Sequence, residues 1–134
     1  MRIGVAATPD VAIPTLNWLL HSEHEVALVI TQPDRPAGRG QVLQQTTIAN
    51  WAEIHQLPVV KPETPQELVG KIEDLDLVLT IGYGVLLPEN ILSLPKKGFL
   101  NLHFSTHNIK ANIVLDLIYL LKLGRFDFVC KAIY

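Results

Sequence analysis

Two polar side chains, Asn101 and His103, interrupt an apolar run made by Phe99, Leu100, Leu102 and Phe104. Gly98 precedes the run, which reads as a short buried strand. At i and i+2 on a strand, both polar groups leave the same face, one step apart. An amide donor beside a titratable imidazole, at the end of such a strand, can hold and protonate a reacting carbonyl. The plainer alternative is a pair of core polar residues satisfied by backbone. The choice between the two depends on the elements that position the pair.

Those elements alternate. Residues 2–7 form a first strand, followed by Thr8, Pro9 and Asp10. A helix is expected over about residues 9–20; Pro14 inside it suggests a start nearer Ile13, and both starts stay open. A strand feeding a helix N-terminus attracts anions, but no Gly-x-Gly-x-x-Gly pattern marks a dinucleotide site. Residues 25–31 are a second, largely buried strand. Strand, helix, strand implies a right-handed parallel crossover and a doubly wound α/β architecture.

Residues 32–40 carry two prolines and two glycines, which predicts an exposed loop without regular structure. Its cations, Arg35 and Arg39, could meet a phosphate backbone; the alternative is a solvated connection with incidental charge. Residues 46–56 read as an amphipathic helix capped by Thr46 or Thr47. Ile48, Trp51, Ala52 and either Ile54 or His55 form its apolar side. A third strand is expected at 57–60, a helix opening at 65–71 and a fourth strand at 75–81. The fourth strand ends in Gly82, Tyr83 and Gly84, then Val85, Leu86, Leu87 and Pro88. In open α/β sheets ligands sit at the carboxyl ends of strands, where glycines permit close backbone approach. A flat heterocycle hydrogen-bonded to residues 82–87 fits such a place, and a simple strand-to-helix turn is the alternative. A short helix at 88–94 then leads to the Asn101 strand.

The 134 residues, 49% hydrophobic, suffice for one domain with a core. A net charge of −2 gives no global field that would draw nucleic acid or membrane. The single cysteine, Cys130, excludes an internal disulfide and fits a reducing compartment. The opening residues are too short and strand-like for a secretory leader, so a cytoplasmic protein without a membrane span is expected.

Several stretches, in order and at matching spacing, resemble the N-terminal catalytic domain of the methionyl-tRNA formyltransferase family. They are Ala7-Thr8-Pro9-Asp10, the loop TQPDRPAGRG at 31–40, Lys61-Pro62-Glu63, Gly82-Tyr83-Gly84 with Leu87-Pro88, and Asn101-Leu102-His103-Phe104-Ser105. The loop is the specific part, since glycinamide ribonucleotide formyltransferases share the Asn-x-His strand but not the loop. The resemblance implies a Rossmann-like, mostly parallel sheet with helices on both faces. It implies formyl transfer from 10-formyltetrahydrofolate to the α-amine of initiator methionyl-tRNA, with no metal, in a protein of a usually monomeric family. Asn101 would stabilise the oxyanion, and His103 would shuttle or stabilise charge. Backbone at Gly82, Tyr83, Gly84, Val85, Leu86 and Leu87 would line the folate pocket, and Arg35 and Arg39 would reach the tRNA.

The sequence also departs from that family. Ala7 replaces a glycine, and Gln41 and Val42 replace two lysines after the loop. After Ser105 the family continues Leu-Leu-Pro-x-x-Arg-Gly, whereas residues 106–111 here are Thr-His-Asn-Ile-Lys-Ala. Asp116 and Asp127 match neither the spacing nor the context of the family's catalytic aspartate. Residues 106–134 lack Pro, Glu, Gln and Ser, while all nine prolines lie at or before Pro95. The expected organisation is therefore a catalytic-domain portion at 1–105 and an atypical apolar tail at 106–134, as from a shifted reading frame or truncation, without the tRNA-binding C-terminal domain. Impaired turnover is expected, the alternative being a non-catalytic folate- or tRNA-binding remnant.

Overall fold

Runs of aliphatic and β-branched residues become strands because both their faces can be covered. The computed structural model describes residues 1–102. Its strands are β1 (Arg2–Ala7), β2 (Glu25–Ile30), β3 (Arg35–Ala37), β4 (Val42–Gln44), β5 (Val59–Val60), β6 (Leu77–Ile81) and β7 (Phe99–Asn101). Five of them form one sheet in the order β5-β2-β1-β6-β7, with every neighbouring pair parallel. The expected Rossmann-like α/β fold is thus present.

Alternate residues of each strand feed two separate cores. On one face Ile3, Val5, Leu77 and Leu79 meet Leu16 and Leu19 of α1 (Ile13–Leu20) and Ile48 and Trp51 of α2 (Thr47–Ile54). On the other, Ala6, Ile30, Val78 and Phe99 meet Leu68, Ile72 and Ile91, the last on α3 (Glu89–Leu92). Side chains from strand interior positions are fully enclosed, which is what fixes strand register against a one-residue slip.

Local chemistry settles the element ends. A 3-10 turn at Asp10–Ala12 precedes α1, and Pro14 falls in the helix's first turn, where a missing N–H breaks no bond. The later of the two starts is the real one. Thr46 caps α2, its Oγ1 accepting from the Ala49 N–H at 3.1 Å. Ile54 is 77% exposed, while the His55 ring lies against Trp51 with centroids 4.5 Å apart. His55, not Ile54, therefore borders the packed side of α2. The helix expected at 65–71 is only a 3-10 stretch, Pro65–Leu68, because Val69 is extended and Gly70 turns with φ +81°.

The largest correction falls on residues 32–40, which are not without regular structure. β3 and β4 pair antiparallel as a separate two-stranded ribbon, Arg35 opposite Gln44 and Pro36 opposite Leu43. A ribbon with no third strand tolerates a residue lacking an N–H. Gly38, Gly40 and Gln41 close it with φ of +71°, +95° and +52°. Its feet are tied by Thr31 Oγ1 to Thr46 Oγ1 at 2.7 Å. Lys61 Nζ bridges them as well, donating to Asp34 Oδ1 at 2.6 Å and Gln45 Oε1 at 3.0 Å.

Candidate functional site

Strand order in the sheet reverses beside β1: β2 and β5 continue to one side, β6 and β7 to the other. Beyond the carboxyl ends at such a reversal the loops diverge and leave a crevice. Here the diverging segments are Thr8 and Pro9 after β1 and residues 82–87 after β6. The ribbon of Arg35 and Arg39 leaves from the carboxyl end of β2.

The 82–87 segment alternates. Gly82, Gly84 and Leu86 are exposed, while Tyr83 and Leu87 are buried in the second core. Gly82 and Gly84 have φ of +58° and +77°, conformations that L side chains rarely adopt. A Cβ on Gly82 would sit 2.8 Å from Pro9 Cγ, and one on Gly84 2.9 Å from Gln32 Nε2. The left-handed backbone thus calls for glycine at both positions, with Pro9 crowding Gly82 as well, so the turn itself, as much as ligand approach, accounts for them.

The Tyr83 carbonyl accepts two hydrogen bonds, from Thr8 Oγ1 at 3.0 Å and Gln32 Nε2 at 2.9 Å. Two donors fill both lone pairs of a carbonyl oxygen. Tyr83 therefore offers no carbonyl acceptor to a ligand, and its buried phenol is pushed up to about 12 by desolvation, with the Glu67 charge adding to it. That hydroxyl stays protonated at neutral pH and is no base.

Asn101 lies directly across from Thr80, the penultimate residue of β6. Thr80 Oγ1 is 3.1 Å from Asn101 Oδ1 and 3.5 Å from the Leu100 carbonyl, so the hydroxyl proton goes to the amide oxygen. With its oxygen held by Thr80, Asn101 presents Nδ2, which has no partner among the described residues. The amide is half-buried, where a donor keeps strength without losing access. His103 lies outside the described residues, as do residues 106–134.

Arg35 and Arg39 are both exposed on the ribbon, and neither guanidinium has an ion-pair or hydrogen-bond partner among the described residues. Val42 and Leu43 beside them are 64% and 67% exposed. Asn101 and residues 82–87 come from neighbouring strand ends; the arginines stand on a separate arm. Of the residues that orient these groups, Thr80 has no signal in the sequence, while Thr8, Gln32 and Lys61 fall in the stretches that carry the resemblance but without an assigned role. Among the described residues no group of three or more His, Cys, Asp or Glu side chains could hold a metal ion. No described helix is long and apolar enough to cross a membrane.

The chain is similar in sequence to known formyltransferases. The methionyl-tRNA formyltransferase of Hydrogenovibrio crunogenus is 44% identical over 110 residues, covering 78% of this chain and 35% of that protein. That of Idiomarina loihiensis is 46% identical over 109 residues, covering 78% and 34%. The chain thus spans about a third of the length of the curated relatives it matches. In fold it is similar to the crystal structure of phosphoribosylglycinamide formyltransferase from Bacillus halodurans, with a TM-score of 0.53, 20% identity, and coverage of 89% of this chain and 65% of that one. A family model described as formyl transferase matches residues 1–106, and the chain belongs to that family.

Proposed function

We propose that this chain carries the donor-binding part of a formyltransferase that moves a formyl group from 10-formyltetrahydrofolate to the amino group of initiator methionyl-tRNA. The observation that carries the reading is the Asn101 amide, fixed by Thr80 at a strand end beside the open 82–87 backbone. A pterin has an edge of alternating donors and acceptors, which suits hydrogen bonding to backbone at residues 84–87. The formyl carbon would then face the end of β7.

As the amine attacks the formyl carbon, the carbonyl oxygen becomes an oxyanion. The Asn101 Nδ2–H donates to it, which favours the tetrahedral state over the flat ground state. His103, by its place in the motif, takes or stabilises charge on that intermediate. The C–N bond to the folate then breaks, the folate nitrogen leaving with a proton and the amine keeping the formyl group. Arg35 and Arg39 act at a distance, as phosphate contacts on the ribbon. The protein would work in the cytoplasm, where translation starts.

Turnover by these 134 residues alone is expected to be weak, because residues 106–111 do not carry the Arg-Gly turn of the family. Groups that act as a unit lose most of the rate when one is removed. The test is transfer of labelled formyl from 10-formyltetrahydrofolate to methionyl-tRNA, with saturable folate binding measured beside it. The reading expects folate binding and a slow transfer that Asn101→Ala and His103→Ala each abolish. Folate binding with no transfer above background would favour a non-catalytic binding domain. No folate binding at all would overturn the assignment.

A further inference from the structure

Resting on the folate site of that reading, we propose that Gln32 is its positioning residue: the side-chain amide, donated to the Tyr83 carbonyl, holds the 82–87 turn in its ligand-ready form. Gln32 lies two residues beyond β2, at the foot of the β3–β4 ribbon. Its Nε2 reaches the Tyr83 oxygen at 2.9 Å across 51 residues of sequence. Thr8 Oγ1 reaches the same oxygen at 3.0 Å from the end of β1.

Three strand ends therefore converge on one carbonyl. The peptide that follows it is Gly84, exposed and at φ +77°, a residue with wide conformational freedom of its own. Orienting the Tyr83 carbonyl orients the Tyr83–Gly84 peptide plane, because the two share a rigid unit. That in turn aims the Gly84 N–H and the backbone after it. Gln32 also fills the space that a Gly84 side chain would need, 2.9 Å from its ideal Cβ. The residue fixes the turn twice, by donating to it and by occupying the volume behind it.

The ribbon that bears Arg35 and Arg39 begins three residues after Gln32, so the donor pocket and the cationic arm are joined through one short stretch of chain. Gln32→Met keeps length and shape but removes the donor. Gln32→Lys restores a donor one bond further out.

The experiment uses the whole 134-residue chain, labelled with nitrogen-15. Backbone order parameters are measured at Gly84 and Val85, together with the affinity for 10-formyltetrahydrofolate. Wild type should show values near the rigid limit of about 0.85 at both residues, and Gln32→Met should drop them below about 0.6. Folate affinity should fall about five- to tenfold, the loss typical of one neutral hydrogen bond, and Gln32→Lys should recover most of it. A second route avoids the variant's own effects: Gly84→Ala strains the turn by itself, so the effect of Gln32→Met should shrink in that background, as a coupled pair requires.

Unchanged order parameters in both Gln32→Met and the Thr8→Val/Gln32→Met double variant would overturn the proposal. Loss of order in Gln32→Met, in a chain whose wild type binds no folate, would keep the positioning role and overturn the formyl-donor reading instead. Equal affinities in wild type and Gln32→Met, with folate bound, would overturn the ligand-ready claim.

Discussion

The two ends of the sheet spend their polar groups differently. At the amino end Arg2 pairs with Glu25 at 3.3 Å and Asp74 at 3.2 Å, and its backbone N–H donates to Asp76 Oδ2 at 2.7 Å. Asp76 also holds Lys96 at 3.6 Å. These charges answer one another, and the result closes a seam between β1, β2 and the approach to β6. At the carboxyl end Lys61 and Asp34 pair at the foot of the ribbon, but the bonds around the 82–87 turn are neutral and convergent, Thr8 and Gln32 on the Tyr83 carbonyl, Thr80 on the Asn101 oxygen. They leave over the Asn101 Nδ2 group, the backbone after Tyr83 and two arginines without described partners. The first rim satisfies itself; the second is braced from behind and open in front, the form of support that the proposed ligand site needs.

If that contrast is right, substitutions at the two ends should fail in different assays. The largest effect is expected at Asn101→Ala, where formyl transfer falls about 10²–10³-fold, as for loss of one oxyanion donor, while the melting temperature stays put. A loss of stability equal to the loss of rate would make Asn101 a core polar residue after all. Next comes Gly4→Ala, toward the amino end, whose new Cβ would meet Leu75 Cδ1 at 2.8 Å and Val78 Cγ2 at 3.1 Å. Overpacking of this kind costs about 1–3 kcal/mol, read by urea melts, and should leave folate affinity unchanged.

The pH dependence sharpens the same comparison. Backbone hydrogen bonding from Arg2 chiefly holds the Asp76 carboxyl below its ordinary range, with Lys96 helping. Its contribution is therefore present above the ordinary aspartate pKa and lost as pH falls through the lowered one, so acid should loosen the amino end. Tyr83 behaves in the opposite sense. Its native phenol titrates at about 12, so stability is intact below about pH 10, where the unfolded phenol ionises, and drains away between there and pH 12. Tyr83→Phe should flatten that alkaline limb. The smallest effect belongs to Arg39→Ala, which should lower the salt slope of RNA binding by about one and leave folding alone.

How much of this the sequence disclosed follows from how local each feature is. β1, β2 and β6 are continuous apolar runs, and the place of Asn101 follows from strand spacing. Residues 32–40 read as a loop because the strand within them, β3, is only three residues long and contains Pro36, and its partner β4 is as short. What makes it regular lies elsewhere in the chain, in the turn glycines and in Lys61 gripping Asp34 and Gln45. Helical spacing leaves Ile54 and His55 as equal choices for the apolar side of α2, and only His55 has the stacking partner, Trp51. The braces were illegible for the same reason: Thr8 meets Tyr83 across 75 residues and Thr80 meets Asn101 across 21. No local pattern records a contact of that range.

The central claim is that a reduced folate docks on the carboxyl-end turn with Asn101 beside its formyl group. A nitrogen-15 spectrum of the chain, titrated with 10-formyltetrahydrofolate, tests it directly. The account predicts saturable shifts at Gly84, Val85, Leu86 and Leu87 and at the Asn101 side-chain amide, with Arg2, Asp74 and Asp76 silent. Shifts confined to the amino end or to the ribbon, or no saturable shifts at all, would contradict it.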